Sequence, residues 1–287
     1  GDSPIVNALI EAAENGKQVL AVIEIRARFD ELANVKWARK LEEAGVHVVY
    51  GLVGFKTHSK LSLVVREEPT GIRRYCHVGT GNYNPKTARL YEDLGLFSAD
   101  PVLGEDLNRL FNQLSGFAPQ SEFNRLMVAP RGIRAKLLEK IEREIDFVKA
   151  GKTGLIRMKL NAILDEEFVE ALYKASQAGV KVDLVIRGIC AIRAEVPGLS
   201  ENIRAVSILG RFLEHSRIIH FANGGDDELW IGSADLMHRN LDRRVESLVR
   251  IVQTDHKRLL IRAIDTYLSD EMAHWTMNQS GTWQRVD

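Results

Sequence analysis

Two histidines stand at equivalent positions in two similar stretches of the chain, His58-Ser59-Lys60 and His215-Ser216-Arg217. A neutral imidazole can attack phosphorus, and a partner imidazolium can protonate a leaving oxygen. Residues i and i+2 of a strand share a face, so each histidine and its basic residue should point the same way. Lys60 and Arg217 would then supply positive charge to phosphoryl oxygens, with surface charges as the alternative. The two stretches predict phosphoryl chemistry carried by a pair of histidines.

A hairpin follows each stretch and ends in a loop of small residues. The loops are Gly79-Thr80-Gly81-Asn82 and Gly232-Ser233-Ala234-Asp235. Glycines let backbone N–H groups approach an anion. We expect Asn82 to contact phosphate, and a plain turn residue is the alternative. Two copies in the same order predict two histidines that meet across a pseudo-two-fold axis. The alternative is that both are ordinary strand histidines, but that would not explain the repeat.

Strands alternate with helices in both halves, which indicates an α/β fold with a largely parallel sheet. Asp30 can cap a first-half helix and Asp165 a second-half helix. The second-half strands are expected at 155–160 and 181–186. Further helices are expected in the linking region and at the C-terminus, at 103–114, 133–149 and 255–270. We place the domain boundary near residue 125, which gives domains 1–125 and 126–287, each carrying one histidine.

The composition excludes several classes of protein. The 287 residues include Lys+Arg 39 and Asp+Glu 39, so the net charge is zero and a diffuse basic coat for nucleic acid is absent. Cys76 and Cys190 are too far apart in sequence for a disulfide framework or a paired metal motif. We expect a cytoplasmic location, with peripheral contact at the inner membrane face left open. The chain opens at Gly1, and we expect it to be a piece of a longer protein.

The histidine and loop motifs resemble those of the phospholipase D superfamily. The hydrolase form of that motif has an aspartate five residues after the lysine, but Val65 and Ala222 stand there in this chain. Longer strings are similar to the polyphosphate-forming polyphosphate kinases. These strings are Ala27-Arg28-Phe29-Asp30-Glu31, Lys56-Thr57-His58-Ser59-Lys60, His77-Val78-Gly79-Thr80-Gly81-Asn82, Thr87-Ala88-Arg89-Leu90-Tyr91-Glu92-Asp93 and Val185-Ile186-Arg187-Gly188-Ile189-Cys190.

The resemblance covers the two C-terminal domains of that family and implies two phospholipase D-like domains related by pseudo-two-fold symmetry. It also implies reversible transfer of the ATP γ-phosphate to inorganic polyphosphate through a phosphohistidine. The expected partners are ATP or ADP with Mg²⁺, polyphosphate, the N-terminal domains of the same protein and further copies of it. Nucleic acid is not an expected partner.

The resemblance also implies roles for individual residues. His58 would be the nucleophile, and His215 would be the facing acid/base and a nucleotide-phosphate contact. Asp93 would orient His58 and so fix which ring nitrogen attacks. His77 would support the glycine loop, and a second phosphorylation site is the alternative.

Three further residues match family positions that contact the nucleotide. Tyr91 and Arg187 would bind the nucleotide directly. Arg28 falls on a position linked to magnesium and phosphate. A guanidinium has no lone pair to offer a cation, so Arg28 would bind the phosphate that holds the metal.

Two other functions remain open from the sequence. One is a phosphodiesterase or nuclease of the phospholipase D type, which would use the same pair of histidines. The other is a polyphosphate-binding fragment without activity of its own, because domains outside the chain would complete the nucleotide site.

Overall fold

The computed structural model describes residues 3–26, 31–116 and 122–286. Its helices, α1 to α7 in chain order, are Pro4–Glu14, Glu31–Glu43, Pro101–Leu114, Ile133–Lys149, Glu166–Gln177, His238–Asp242 and Thr254–Tyr267. Its strands, β1 to β17 in chain order, are Leu20–Val22, His47–Val49, Lys56–Thr57, Lys60–Glu68, Gly71–Gly79, Tyr91–Glu92, Gly95–Ser98, Leu126–Ala129, Leu155–Leu160, Lys181–Ile186, Ile203–Ser207, Leu213–Glu214, Arg217–Phe221, Glu228–Gly232, Arg244–Ile251, His274–Met277 and Trp283–Val286.

The second half is built on one large mixed sheet. Strands β9, β10 and β11 run parallel at its centre. The hairpin β13-β14 and strand β15 continue the sheet with antiparallel pairing. β10 is buried along most of its length, as expected for a central strand covered on both faces. Helix α5 packs beside this sheet, and its N-cap is Asp165, whose side chain accepts from the Phe168 amide.

The first half has two smaller sheets. β1 and β2 form a parallel pair, and β4, β5 and β7 form an antiparallel sheet. Residues Cys76 and Val78 of β5 belong to the same buried cluster as Val206 and Ile218 of the second half. The two halves therefore share a hydrophobic core, which fixes how they meet.

Two short ladders join the halves directly, and they are equivalent by pseudo-symmetry. β3, immediately before His58, pairs in parallel with the start of β15. β12, immediately before His215, pairs in parallel with β6. Each histidine thus directly follows a strand that is hydrogen-bonded to the opposite half.

The predicted α/β fold class is confirmed, and helix α4 begins and ends where the sequence predicted. The predicted C-terminal helix corresponds to α7, but the chain continues into the antiparallel strands β16 and β17, which were not predicted. Asp30 lies outside the described residues. Cys76 and Cys190 are both free thiols. Within the described ranges, we find no helix long and apolar enough to cross a membrane.

Candidate active site

His58 is held by the opposite half of the chain through both its backbone and its ring. Its amide donates to the Val245 carbonyl at 2.9 Å. Its Nδ1 lies 2.8 Å from Oε2 of Glu246. A carboxylate can only accept, so Nδ1 carries the ring proton and Nε2 keeps a free lone pair. A histidine that attacks through Nε2 needs this tautomer.

The Glu246 carboxylate is fully buried and accepts from several donors. Asn240 Nδ2 donates to Oε1 at 2.8 Å, and the Ser233 hydroxyl donates to Oε2. Burial alone would raise the pKa of this carboxyl, but His58 and the nearby charge of Lys60 outweigh it and lower the pKa. Glu246 is therefore an ionised acceptor with a fixed orientation.

His215 has the same surroundings, built from the first half. Its amide donates to the Glu92 carbonyl at 3.2 Å. Its Nδ1 lies 2.7 Å from Asp93 Oδ1, and Thr80 Oγ1 donates to the same carboxylate oxygen at 2.7 Å. Burial would raise the pKa of Asp93, but the hydrogen bonds from His215 and Thr80 bring it below its usual value.

The small residues of the first loop are needed for this contact. A Cβ at Gly81 would lie 2.2 Å from Asp93 Oδ2, so any larger residue would displace the carboxylate. Gly81 therefore lets the loop pass close over Asp93 while Thr80 donates to it.

The predicted partnership between Asp93 and His58 is wrong. Asp93 contacts His215, and the carboxylate beside His58 is Glu246. The reason is the order of pairing between the halves: β6, which leads into Asp93, pairs with β12, which leads into His215. Each carboxylate consequently orients the histidine of the other half.

Lys60 lies in the interior of the site. It is 4 % exposed, and its Nζ has no hydrogen-bond partner among the described residues. Burial lowers the pKa of Lys60 to about 7, the charge of Glu246 opposes that shift, and Arg217 adds to it. A buried ammonium without a partner is costly, and a bound anion would supply the missing acceptor.

Arg217 is also buried, and Asp235 holds its guanidinium. Arg217 Nη2 lies 3.0 Å from Asp235 Oδ2, and Nε donates to Oδ1 at 3.2 Å. The remaining nitrogen, Nη1, donates to the His215 carbonyl and lies 3.2 Å from His215 Nε2. Asp235 therefore fixes the arginine in place beside the second histidine.

The two histidines share the same pair of cations. Burial lowers the pKa of His58 to about 4, and the charges of Lys60 and Arg217 act in the same direction. Burial also lowers the pKa of His215, and the same two charges contribute there too. His58 is therefore neutral near pH 7, and the same two positive charges act on both rings.

A buried lysine stabilises the ladder behind His215. Lys159 Nζ donates to the Ser216 hydroxyl at 2.8 Å and to the Ser216 carbonyl at 3.0 Å. It also lies 3.2 Å from a carboxylate oxygen of each of Glu92 and Glu214, the paired residues of β6 and β12. These contacts join three strands directly behind the histidine.

Comparison with known proteins identifies the family. The model of polyphosphate kinase C-terminal domain 1 matches residues 1–120, and that of C-terminal domain 2 matches residues 126–287. The chain belongs to the polyphosphate kinase family. Polyphosphate kinase from Streptomyces coelicolor is 61% identical over 285 residues, and that from Synechocystis is 56% identical over 283.

A solved polyphosphate kinase has the same fold. The crystal structure of polyphosphate kinase from Porphyromonas gingivalis superposes with a TM-score of 0.90 at 36% identity, covering 99% of this chain and 43% of that chain. The two curated relatives align with 99% of this chain, which spans 38% and 39% of their lengths. The chain therefore corresponds to the C-terminal part of a polyphosphate kinase.

The structure places two of the predicted nucleotide contacts beside the histidine pair. The Tyr91 ring lies 4.9 Å from the His215 ring, centroid to centroid. Arg187 Nε donates to the Glu214 carbonyl at 2.8 Å, next to His215 in sequence. Burial lowers the pKa of Arg187, and the charge of Arg217 contributes to that shift. Their roles toward a nucleotide stay predictions.

The other predicted residues have different surroundings. His77 Nδ1 lies 2.6 Å from the Tyr83 hydroxyl, and its ring lies 4.6 Å from that of Phe97. Asn82 is exposed, and its carbonyl accepts from the Asn84 amide, as in a turn. Arg28 lies outside the described residues, so its assignment to a magnesium-bound phosphate stays a prediction.

Sequence reasoning missed Glu246, although the internal repeat contains a signal for it. Asp93 follows Thr80 by 13 residues, and Glu246 follows Ser233 by 13 residues. In both halves the hydroxyl of the loop donates to the carboxylate at that spacing. Aligning the halves on their loops rather than on their histidines would have predicted one carboxylate from each half.

Proposed function

We propose that the protein containing this chain transfers the γ-phosphate of ATP reversibly to inorganic polyphosphate through a phosphohistidine at His58. The observation that carries the proposal is the pair of carboxylate-bound histidines, His58 and His215, around the shared charges of Lys60 and Arg217. A phosphoryl group between the two rings would meet a nucleophile, an acid/base and two cations.

In the first step, the lone pair on His58 Nε2 attacks the γ-phosphorus of ATP. The N–P bond forms while the bond from phosphorus to the β,γ-bridging oxygen breaks, and ADP leaves with that electron pair. Glu246 keeps the proton on Nδ1 and stabilises the positive charge that develops on the ring. Lys60 would neutralise charge on the transferring oxygens.

In the second step, a terminal oxygen of polyphosphate attacks the same phosphorus. The O–P bond forms, the N–P bond breaks, and the electron pair returns to Nε2. Polyphosphate leaves one phosphate longer, and His58 is again neutral. A phosphoramidate keeps much of the transfer potential of ATP, so the reverse reaction uses the same groups.

His215 would act on the face opposite His58. Asp93 holds the proton on Nδ1 of His215, which leaves Nε2 beside the Arg217 guanidinium. A ring placed there can exchange a proton with the oxygen that leaves or attacks, and Arg217 can hold that oxygen. Tyr91 and Arg187 lie on this side and would bind the nucleotide.

Magnesium would enter as part of the Mg·ATP substrate. Three described carboxylates of the site, Asp93, Asp235 and Glu246, are each already bonded to a histidine or an arginine. These engaged carboxylates would not form a complete set of protein ligands around the ion. The site therefore fits a Mg²⁺ ion that is coordinated by phosphate oxygens and water. Arg28 would bind one of those phosphates.

We also propose that parts of the longer protein complete the nucleotide site and support oligomer formation, since this chain spans 38% of the length of the Streptomyces relative. The zero net charge argues against a diffuse basic surface for nucleic acid, and the buried cations Lys60 and Arg217 support a focused site for a polyanion. The cytoplasmic location stays a prediction.

The test is to incubate the longer protein, and separately this chain, with Mg²⁺ and γ-labelled ATP. We expect acid-labile, base-stable label on the longer protein, and no label in His58→Ala. His47→Ala, which alters an exposed strand histidine, is the matched control and should be labelled normally. Label that persists in His58→Ala would refute the assignment. Polyphosphate binding by this chain without labelling would show that the nucleotide site needs the rest of the protein.

A further inference from the structure

Three possible metal ligands meet where helix α6 approaches the start of helix α5. They are Asp165, which caps α5, and His238 and Asp242, the first and last residues of α6. One ligand atom from each lies within 4.8 Å of the other two. His238 Nδ1 is 3.0 Å from Asp242 Oδ2 and 3.6 Å from Asp165 Oδ2. The histidine therefore stands between two carboxylates.

The Asp165 carboxylate has one oxygen that is available to a ligand. Its side chain is 0% exposed. Oδ1 accepts from Arg134 Nη1 at 2.6 Å and from the Phe168 amide, but Oδ2 has no hydrogen-bond partner among the described residues. A buried carboxylate oxygen without a donor is costly. This oxygen lies toward His238, at the centre of the cluster.

The charge of the cluster is also unbalanced. Arg134 contacts three acids, Asp165, Glu167 and Asp242. Among the described contacts, one guanidinium faces both ligand carboxylates and the exposed Glu167, so the cluster is net negative while His238 is neutral. That charge favours a bound cation. Arg134 Nη1 occupies Oδ1 of Asp165 and leaves Oδ2 of that carboxylate without a donor among the described residues, and Arg134 Nη2 bonds Asp242 Oδ2 at 2.9 Å. The arginine therefore orients both carboxylates, as outer groups do in metal sites.

We propose that Asp165, His238 and Asp242 bind a divalent transition-metal ion of the Zn²⁺ class. Zn²⁺ takes imidazole nitrogen and carboxylate oxygen at about 2.0–2.2 Å in tetrahedral geometry, which separates neighbouring ligand atoms by about 3.3 Å. The two distances from His238 Nδ1 lie on either side of that separation. On binding, the Nδ1 lone pair coordinates the ion and the ring proton resides on Nε2. The His238 side chain is 66% exposed, so water can fill the fourth position.

The site would fasten α6 to α5. Helix α6 separates the loop that ends at Asp235 from strand β15, which carries Glu246. Asn240 in this helix donates to Glu246 at 2.8 Å. A metal bound at the two ends of α6 would therefore restrict the segment that supports the carboxylate beside His58. It would also stabilise the folded state, because it would bind the folded chain and not the unfolded one.

Calorimetric titration of the chelator-stripped chain with Zn²⁺ tests the proposal. We expect one saturable site in the wild type, weakened at least about tenfold in His238→Ala and in Asp242→Asn. His238 is largely exposed, so its replacement should leave the fold intact, and circular dichroism checks this. His47→Ala is the matched control and should bind as the wild type does.

A second readout is the visible spectrum of bound Co²⁺, whose absorption reports tetrahedral coordination. We expect that absorption in the wild type and in His47→Ala and its loss in His238→Ala. Absence of saturable Zn²⁺ binding by the wild type would overturn the proposal. Equal binding by the wild type and His238→Ala would overturn it as well, because the metal would then lie at other ligands.

Discussion

Glu246 hydrogen-bonds the Nδ1 of His58 at 2.8 Å across the junction between the two halves of the chain. Asp93 stands in the same relation to His215 at 2.7 Å. In both cases the strand that leads into the histidine is paired with the strand that leads into or contains the carboxylate. Each half therefore supplies one histidine and the orienting group for the other, and neither half alone can form the site.

The Glu246→Gln change should slow phosphorylation of His58 by about 10²- to 10⁴-fold. A glutamine amide can donate to Nδ1, which would move the ring proton to Nε2 and remove the attacking lone pair. Single-turnover labelling with γ-labelled ATP measures the rate. Glu67→Gln, an exposed carboxylate on strand β4, is the matched control and should retain the wild-type rate.

The Asp93→Asn change should act through His215 and so affect a different part of the reaction. We expect His58 still to become labelled because Glu246 is intact, while both labelling and transfer to polyphosphate slow because His215 loses its fixed tautomer. A loss of labelling in Asp93→Asn with normal labelling in Glu246→Gln would restore the pairing first predicted from sequence and contradict the observed one.

The rate of His58 phosphorylation should stay high in mildly acidic solution. His58 attacks only when neutral, and burial lowers its pKa to about 4. The rate should therefore fall only as the pH drops toward about 4, whereas an ordinary histidine would lose activity near about 6.5. A pH profile of kcat/KM measures this fall in rate on the acid side for the free enzyme. A fall near the pKa of an ordinary histidine would contradict the buried, neutral state of His58.

The alkaline limb of the same profile should reflect Lys60. Burial lowers the pKa of this ammonium to about 7, so its charge is lost as the pH rises above that value. Bound phosphate favours the charged form and should move the limb in kcat to higher pH. Lys60→Arg is the informative variant, because arginine stays charged and should remove the limb. An unchanged limb in that variant would assign it to another group.

His77 should support the loop rather than carry phosphate. Its Nδ1 is engaged with the Tyr83 hydroxyl, which also accepts from the Ser62 hydroxyl at 3.1 Å. We expect His77→Gln and Tyr83→Phe to slow transfer to a similar extent, by less than about a hundredfold, because both loosen the same contact. Acid-labile label on His77 in the His58→Ala protein would show a second phosphorylation site instead.

Glu228 should make folding stability depend on pH. Its carboxylate is buried and bonded to Lys140, Arg143 and Trp230, which together outweigh burial and lower its pKa to about 2. The resulting stability, up to about 3 kcal/mol, is present above the unfolded pKa of about 4.5 and is lost as the pH falls toward 2.

Denaturant unfolding of the wild type and Glu228→Gln at several pH values measures this contribution. The difference in unfolding free energy should be largest above about pH 4.5 and should shrink as the solution becomes more acidic. A difference that does not change with pH would indicate lost packing rather than a lost charge. Glu67→Gln is the matched control here too, and its unfolding free energy should equal that of the wild type at each pH.

The sequence was sufficient for the central helices and strands and for the two histidines, but not for β16 and β17. Hydrophobic periodicity and the cap at Asp165 placed α4, α5 and the central strands within a few residues, because those signals are local. The repeat of histidine, serine and base predicted a pair, and the same cations, Lys60 and Arg217, do influence both rings. The repeat worked because it encodes two copies of one supersecondary unit.

The partners of the histidines could not be predicted in the same way. Glu246 is separated from His58 by 188 residues, and the contact depends on how β3 pairs with β15. Pairing between short strands of different halves leaves no periodic signal, since two residues are too few to show one. The Lys60 ammonium has no hydrogen-bond partner among the described residues because it is buried, and the burial of a lysine cannot be predicted from its sequence neighbours.

The ring nitrogen that carries the phosphoryl group shows directly whether Glu246 fixes the attacking tautomer of His58. Phosphorus NMR of the labelled, denatured protein distinguishes a phosphoryl group on Nε2 of a histidine from one on Nδ1, and peptide mapping identifies the residue. Because Glu246 occupies Nδ1 of His58, the phosphoryl group should be on Nε2 of His58. A phosphoryl group on Nδ1 of His58, or on His215, would contradict the account.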